Sequence, residues 1–156
     1  MHYQINTVKT LYTMIWKQPT NEIAINEMGK NTLMETLGIQ VIEVGPDFIK
    51  ATMPVDQRTV QPFRILHGGA SVALAESLGS FAGTLCLENL STHTIVGVEI
   101  NANHLKAVKE GEPPVVGTVK PIRIGNTIQV WQIDICNSKN QLTCTSRITL
   151  AVIPLK

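Results

Sequence analysis

Hydrophobic and small residues dominate residues 65–87, where they recur at helical spacing. Glu76 is the only formally charged residue between Arg64 and Glu88. This periodicity predicts a long helix over residues 69–87. Its main apolar face consists of residues three or four positions apart: Ala70, Leu74, Leu78, Phe81, Ala82 and Leu85. Apolar residues also occupy most of its other sides, so we expect the helix to be wrapped by other elements.

Two shorter patterns precede the long helix. Thr20-Asn21 is a typical helix cap, and the helical spacing of apolar residues that follows ends before Gly38. Residues 39–53 are rich in β-branched residues and are broken by Gly45-Pro46-Asp47, which predicts a pair of strands. Residues 54–62 are polar and indicate a loop.

Four strands are predicted after the long helix. Residues 94–103 and 114–124 are rich in valine and isoleucine, and residues 129–135 alternate between apolar and polar. A turn over residues 137–140 leads to a last strand over residues 142–152, whose alternation predicts one covered face. We therefore predict an α+β fold in which a curved antiparallel sheet wraps around the long helix.

Composition limits the partners of the protein more than its fold. The chain has 156 residues, 44% of them hydrophobic, and a formal net charge of +1 with no basic tract. These values fit one globular domain and argue against nucleic acid or an anionic membrane as the main partner. No continuous apolar segment of the signal-peptide kind opens the sequence. Three cysteines without metal-ligand spacing indicate reduced thiols in the cytoplasm: Cys86, Cys136 and Cys144.

Glu76 is the first candidate for a catalytic group. A single carboxylate in so apolar a helix is expected to be partly buried, and burial without partners is costly. Desolvation raises the pKa of a carboxyl group, which suits an acid or base in catalysis. His67, Gly68 and Gly69 precede it and add a second functional group and an accessible backbone.

These residues resemble the hotdog-fold acyl-CoA thioesterases. The resemblance covers the chain from about Met14 onward, and it rests on four segments: residues 51–56, 61–77, 99–104 and 130–133. It implies a hotdog domain over residues 14–156, preceded by an extension over residues 1–13. It also implies a homodimer with active sites at the interface, paired into a homotetramer. In that arrangement Gln61 and His67 of one subunit face Glu76 of its neighbour.

The resemblance also implies catalytic roles. Glu76 matches the family's carboxylate, acting either as general base on water or as nucleophile, and the sequence leaves both routes open. The N–H of Gly68, near the helix start, is assigned to the developing oxyanion. His67 orients the thioester or binds near its carbonyl, and Gln61 holds the substrate and the attacking water. Ser80, one turn after Glu76, is expected to bond the carboxylate or the leaving group.

Coenzyme A is expected along the strand surface, as part of the substrate. Lys106 and Arg123 carry positive charge suited to its phosphates, and Phe81 belongs to the acyl pocket by resemblance. We expect no metal site and no separate cofactor. The positions that match coenzyme A contacts are Gly97, His104, Leu105, Lys106, Ala107, Arg123, Ile124, Gly125, Asn126, Thr127 and Ile128.

Three functions fit the sequence. The first is hydrolysis of an aromatic acyl-CoA, with 1,4-dihydroxy-2-naphthoyl-CoA of menaquinone biosynthesis as the first candidate. The second is a broad thioesterase for acyl-CoA or for aryl carrier-protein thioesters, including proofreading. The third is a non-catalytic acyl-CoA-binding module. A hotdog dehydratase is disfavoured, because its usual His-plus-carboxylate pattern differs from His-Gly-Gly followed by Glu76.

Overall fold

A computed structural model describes residues 13–155 of the chain. The predicted extension over residues 1–13 therefore lies, except for its last residue, outside the described residues. No helix within the described part is long and apolar enough to cross a membrane. The elements are α1 Glu22–Met28, α2 Leu33–Leu37, β1 Gln40–Val44, β2 Ile49–Met53, α3 Gly68–Leu85, β3 His93–His104, β4 Val115–Ile124, β5 Ile128–Cys136 and β6 Leu142–Pro154.

The six strands form one antiparallel sheet in the order β1-β2-β4-β5-β6-β3. Helix α3 packs against β2 to β6, and the core lies between the helix and the sheet. Leu74 and Leu78 of α3 and Trp131 and Ile148 of the sheet are fully buried there. The predicted α+β architecture, with the long helix covered by a sheet, is confirmed. Strands β1 and β3 form the two edges.

The prediction of a single first helix is wrong. Asn21 caps α1 as expected, but α1 ends at Met28 and a separate helix α2 begins at Leu33. Asn31 takes a left-handed conformation with φ of 57°, which a continuous α-helix does not allow. Thr32 then caps α2 by accepting a hydrogen bond from the Met34 N–H. The two helices therefore do not form one continuous helix but meet at a bend over residues 28–34, which we call the elbow.

The segment over residues 14–18, which we call the N-terminal strap, closes the far end of α3. Two backbone N–H groups of the strap donate to the Leu85 carbonyl, at 2.8 and 3.2 Å. Trp16 stacks on Trp131 with ring centroids 6.3 Å apart, and its indole N–H donates to the Gly45 carbonyl at 2.7 Å. The last turn of α3 is thereby fixed to both the strap and the sheet.

Candidate active site

The first turn of α3 leaves a backbone donor free. His67 occupies the cap position, and its Nδ1 accepts a hydrogen bond from the Gly69 N–H at 2.7 Å. Because Nδ1 accepts, the proton of a neutral His67 ring lies on Nε2. The Gly68 N–H has no acceptor among residues 13–155. A free N–H at the positive end of a helix is suited to bind an oxyanion.

A cavity of about 360 Å³ opens at this end of α3. The Oε1 atom of Gln61 accepts the Phe63 N–H at 2.6 Å, which leaves the two amide N–H donors of Gln61 available. His104 lies close to Gly68, where an added Cβ would be 2.8 Å from His104 Nε2. The predicted site residues that line this cavity are Gln61, Gly68, His104, Leu105, Lys106 and Ala107.

Glu76 lies farther along α3, half-buried beside the edge strand β3. Burial raises the pKa of its carboxyl group, and no donor among the described residues offsets the desolvation. A Cβ added at Gly97 would lie 2.6 Å from Glu76 Oε1, so the missing side chain leaves the space that the carboxylate occupies. The pairing of β3 with β6 shifts register between Gly97 and Glu99, which forms a bulge at this point.

A second depression, of about 340 Å³, lies on the other side of Glu76 and runs between the elbow and α3. We call it the acyl groove, after the acyl pocket that the family resemblance predicts at Phe81. Apart from Glu76 it is lined by uncharged side chains, including Met28, Leu33 and Phe81. Ser80 also lines it, but no hydrogen bond joins Ser80 to the Glu76 carboxylate, contrary to one of the two roles expected for Ser80.

A single chain does not bring all of the predicted site residues together. Gly68 and Glu76 are eight residues apart in one helix, or about 12 Å along its axis. The β4–β5 turn, residues 123–128, is still farther from the cavity at Gly68. Ile128 of β5 and Val96 of β3 lie at the same level, on either side of β6. His104 lies eight residues after Val96 in β3, which is about 26 Å along that strand.

The β4–β5 turn borders a different cavity, of about 450 Å³, near the last turn of α3. Ile124, Gly125 and Asn126 line it, whereas Arg123, Thr127 and Ile128 are exposed beside it. Lys106 and Arg123 are both exposed, and neither pairs with a carboxylate within residues 13–155. Over the same residues, no group of three or more His, Cys, Asp or Glu side chains is placed to hold a metal ion.

Comparison with known proteins identifies the family. The sequence profile of the thioesterase superfamily matches residues 63–144, more than half of the chain. The chain belongs to the thioesterase superfamily. The crystal structure of a thioesterase from Haemophilus influenzae is 51% identical and superposes with a TM-score of 0.86, over 91% of this chain and 96% of that one. The fold is therefore that of the hotdog thioesterases, and the protein is a thioester hydrolase.

Two curated relatives of this thioesterase cover nearly the same region. The 1,4-dihydroxy-2-naphthoyl-CoA hydrolase of Escherichia coli K12 is 49% identical over 140 residues, which are 90% of this chain and all of the relative. A proofreading thioesterase of Cronobacter turicensis is 46% identical over 140 residues, covering 90% of this chain and 99% of the relative. Their names specify different activities, so family membership alone does not define the acyl group.

The sequence interpretation of this thioesterase missed several residues around the site. Ser71 and Thr143 line the cavity at Gly68, and Met28 and Leu33 line the acyl groove. Ser71 was accessible to prediction, because it lies three residues after Gly68 and so on the same helix face. Met28 and Leu33 follow the apolar spacing of a buried helix face, yet they are 57% and 58% exposed.

Proposed function

We propose that this thioesterase hydrolyses aromatic acyl-CoA thioesters, with 1,4-dihydroxy-2-naphthoyl-CoA as the leading substrate. One observation carries the proposal. Glu76 is half-buried, has no donor within the described residues, and lies where an apolar groove meets an edge strand. A carboxylate in such surroundings is poised to take a proton from water or to attack a carbonyl.

The proposed reaction balances with water alone, so we propose no cofactor. In the general-base route, Glu76 takes a proton while the water oxygen bonds to the thioester carbon. The carbonyl oxygen becomes negative and is stabilised by the N–H of Gly68 of the partner subunit, since Gly68 of the same chain lies about 12 Å from Glu76 along α3. The Nε2–H of His67 of the partner subunit is a second candidate donor. The C–S bond then breaks, and the coenzyme A sulfur receives the proton that Glu76 took up. In the nucleophilic route, Glu76 bonds first to the carbonyl carbon, the C–S bond breaks, and the coenzyme A thiolate leaves and takes a proton from solvent. Water then cleaves the resulting anhydride, which releases the acyl group as its acid and returns the Glu76 carboxylate.

We propose that the working site is shared by two subunits. Strand β3 is a 12-residue edge strand on which Val96 and Val98 are 41% and 61% exposed, and a long unpaired edge with exposed apolar residues favours pairing with another strand. A two-fold axis would pair β3 with its copy in antiparallel fashion. The His104 end of one strand would then lie beside the opposite end of the other, so residues 123–128 of one chain would approach the cavity of its partner. A homotetramer would follow from pairing two such dimers.

Subunit complementation tests the shared site. Glu76→Gln and Gln61→Ala homodimers are each expected to be nearly inactive. In a mixed dimer, one site carries both substitutions and the other carries neither. Co-refolding equal amounts should therefore restore up to about a quarter of wild-type turnover, because half of the dimers are mixed and each has one intact site. No recovery, with mixed dimers demonstrated by mass spectrometry, would contradict a shared site.

A steady-state panel tests the reaction itself. Naphthoyl, benzoyl, short-chain and long-chain acyl-CoAs should be compared, with kcat/KM highest for 1,4-dihydroxy-2-naphthoyl-CoA. Glu76→Gln should lower kcat by roughly a hundredfold to ten-thousandfold, the usual contribution of a general base. Glu43→Gln is the matched control, since that carboxylate is exposed on β1, pairs with Lys50 and lines none of the cavities described above. Near-normal turnover in Glu76→Gln would remove Glu76 from the mechanism.

The second candidate is a broad or proofreading thioesterase, which the Cronobacter relative supports. Naphthoyl-CoA turnover no faster than that of fatty acyl-CoAs, together with activity on aryl carrier-protein thioesters, would favour it. Tight acyl-CoA binding without turnover would instead favour the binding-module alternative.

We propose that this thioesterase acts in the cytoplasm, because its three cysteines are free thiols.

A further inference from the structure

Met28 and Leu33 are two large apolar side chains on the α1–α2 elbow, residues 28–34, and both are exposed beside Glu76. Single exposed apolar residues are ordinary on protein surfaces. Met28 and Leu33, however, both line the acyl groove, where Phe81 of α3 lies with them beside Glu76. Their apolar surface therefore forms a continuous wall next to the candidate catalytic carboxylate.

The elbow holds this wall in a defined position. The Thr32 hydroxyl donates to the Gly29 carbonyl at 2.6 Å and accepts the Met34 N–H at 3.2 Å. Met34 itself is buried in the core. Leu33 thus lies between a capping residue and a core residue, so its backbone has little freedom to move away from a ligand.

The chemistry of the groove selects its occupant. Apart from Glu76 no charged residue lines the groove, so it offers nothing to the phosphates of coenzyme A. It extends along α3 from Glu76 to Thr84, two helical turns or about 12 Å. An apolar acyl group about as long as a fused two-ring aromatic fits a groove of this length, with its thioester carbon at the Glu76 end.

We infer that the α1–α2 elbow determines acyl selectivity, with Leu33 and Met28 limiting the width of the acyl group bound beside Glu76. This inference rests on the proposed thioesterase site at Glu76. Leu33 is a specificity-determining residue in this scheme, because it contacts the acyl group and takes no part in proton transfer. A change in its volume should alter the choice among acyl groups more than the rate for the smallest one.

Leu33→Trp provides the main test. The indole should fill the groove and lower kcat/KM for 2-naphthoyl-CoA by about tenfold or more, while kcat/KM for acetyl-CoA stays within about twofold of wild type. Ile23→Trp is the matched control, because Ile23 is 74% exposed on α1 and does not line the groove. This control should leave both values unchanged. Thermal unfolding and light scattering verify that each variant is folded and assembled.

Leu33→Ala gives an independent test if the tryptophan variant does not fold. The shortened side chain should widen the groove and raise the kcat/KM of three-ring 2-anthroyl-CoA relative to that of 2-naphthoyl-CoA by about fivefold or more. Equal changes for all acyl groups, or none, would overturn the inference while leaving the thioesterase proposal intact. A wild-type protein that hydrolyses no acyl-CoA would overturn the proposed function, and the inference with it.

Discussion

The two ends of α3 treat their unpaired backbone groups in opposite ways. At the first turn, the Gly68 N–H has no acceptor within the described residues and adjoins a cavity. At the last turn, the Leu85 carbonyl accepts two N–H groups from the N-terminal strap. The Leu87 carbonyl, just beyond the helix, accepts the Gln18 side-chain N–H at 2.6 Å. One helix therefore has an open end and a closed end.

This contrast separates stability from chemistry along a single element. Unsatisfied helix ends are unfavourable unless water, a side chain or a ligand completes them. The strap completes the closed end within the protein, which anchors the helix. The open end keeps its donor unpaired within the described residues, and the proposed mechanism places the substrate oxygen there. Changes near the open half should therefore affect turnover, and changes at the closed end should affect unfolding.

Gly97→Ala is expected to give the largest effect on the open half. The new Cβ would lie 2.6 Å from Glu76 Oε1 and would displace the carboxylate. Displacement of a reacting group by about 1 Å can cost a hundredfold, so kcat should fall by up to about that factor. Stopped-flow or steady-state hydrolysis measures it. The double variant with Glu76→Gln should be no slower than Glu76→Gln alone, and an additive loss would show that Gly97 acts elsewhere.

The pH dependence of kcat/KM should report the ionisation of Glu76, which belongs to the same half of the helix. In the proposed mechanism Glu76 acts in its ionised form, so kcat/KM should fall tenfold per pH unit below the pKa of Glu76. Burial raises this pKa, and the acid limb should therefore bend above the ordinary glutamate value of 4.5. Folded Glu76 holds its proton more tightly than unfolded Glu76, so its contribution to stability is greatest at low pH and falls as pH rises through the folded pKa. An acid limb at or below 4.5 would contradict this.

Gly68→Ala should have a moderate effect that depends on His104. The added Cβ would lie 2.8 Å from His104 Nε2, so the His104 side chain or the backbone at Gly68 would have to shift. We expect about a tenfold loss of kcat/KM in the wild-type background and less than about twofold in a His104→Ala background. Equal losses in both backgrounds would show that the added Cβ does not act through His104.

Gln18→Ala should have the smallest effect on turnover. It removes the hydrogen bond to the Leu87 carbonyl at the closed end, which should lower the free energy of unfolding by about 1 kcal/mol. Turnover should stay within about twofold of wild type. Gln40→Ala is the matched control, since Gln40 is exposed on β1 and should change the free energy of unfolding by less than about 0.5 kcal/mol. A large loss of turnover without loss of stability would contradict the assignment of stability to the closed end and of turnover to the open half.

Local patterns predicted most of the fold. The apolar periodicity of α3 and the β-branched runs of the strands depend on neighbours in the sequence, so their positions were predicted within two residues. The helix begins one residue earlier than predicted because His67 supplies its cap. It ends two residues earlier than predicted, at Leu85. There the Leu85 carbonyl accepts hydrogen bonds from the strap instead of from a further helical turn. The break between α1 and α2 was missed, because Asn31 in a left-handed conformation leaves no trace in apolar spacing.

The site was only partly predictable. Gln61, Gly68 and residues 104–107 do gather in one cavity, since they lie near the start of α3 and the end of β3. The contact between Glu76 and Gly97 was not predicted, because it depends on β3 pairing with β6 at the edge of the sheet. Residues 123–128 do not join the cavity within one chain, so their predicted role depends on a second subunit.

The strap carries one of the only two tryptophans of the chain, and the sheet carries the other. Their rings stack 6.3 Å apart with an interplanar angle of 13°. Stacked indoles couple their electronic transitions, and we expect the contribution of this coupling to circular dichroism to be lost when the rings separate. The protein thus contains its own optical reporter of strap attachment. That signal permits the closed end of α3 to be followed during heating without a label and without reference to enzymatic activity.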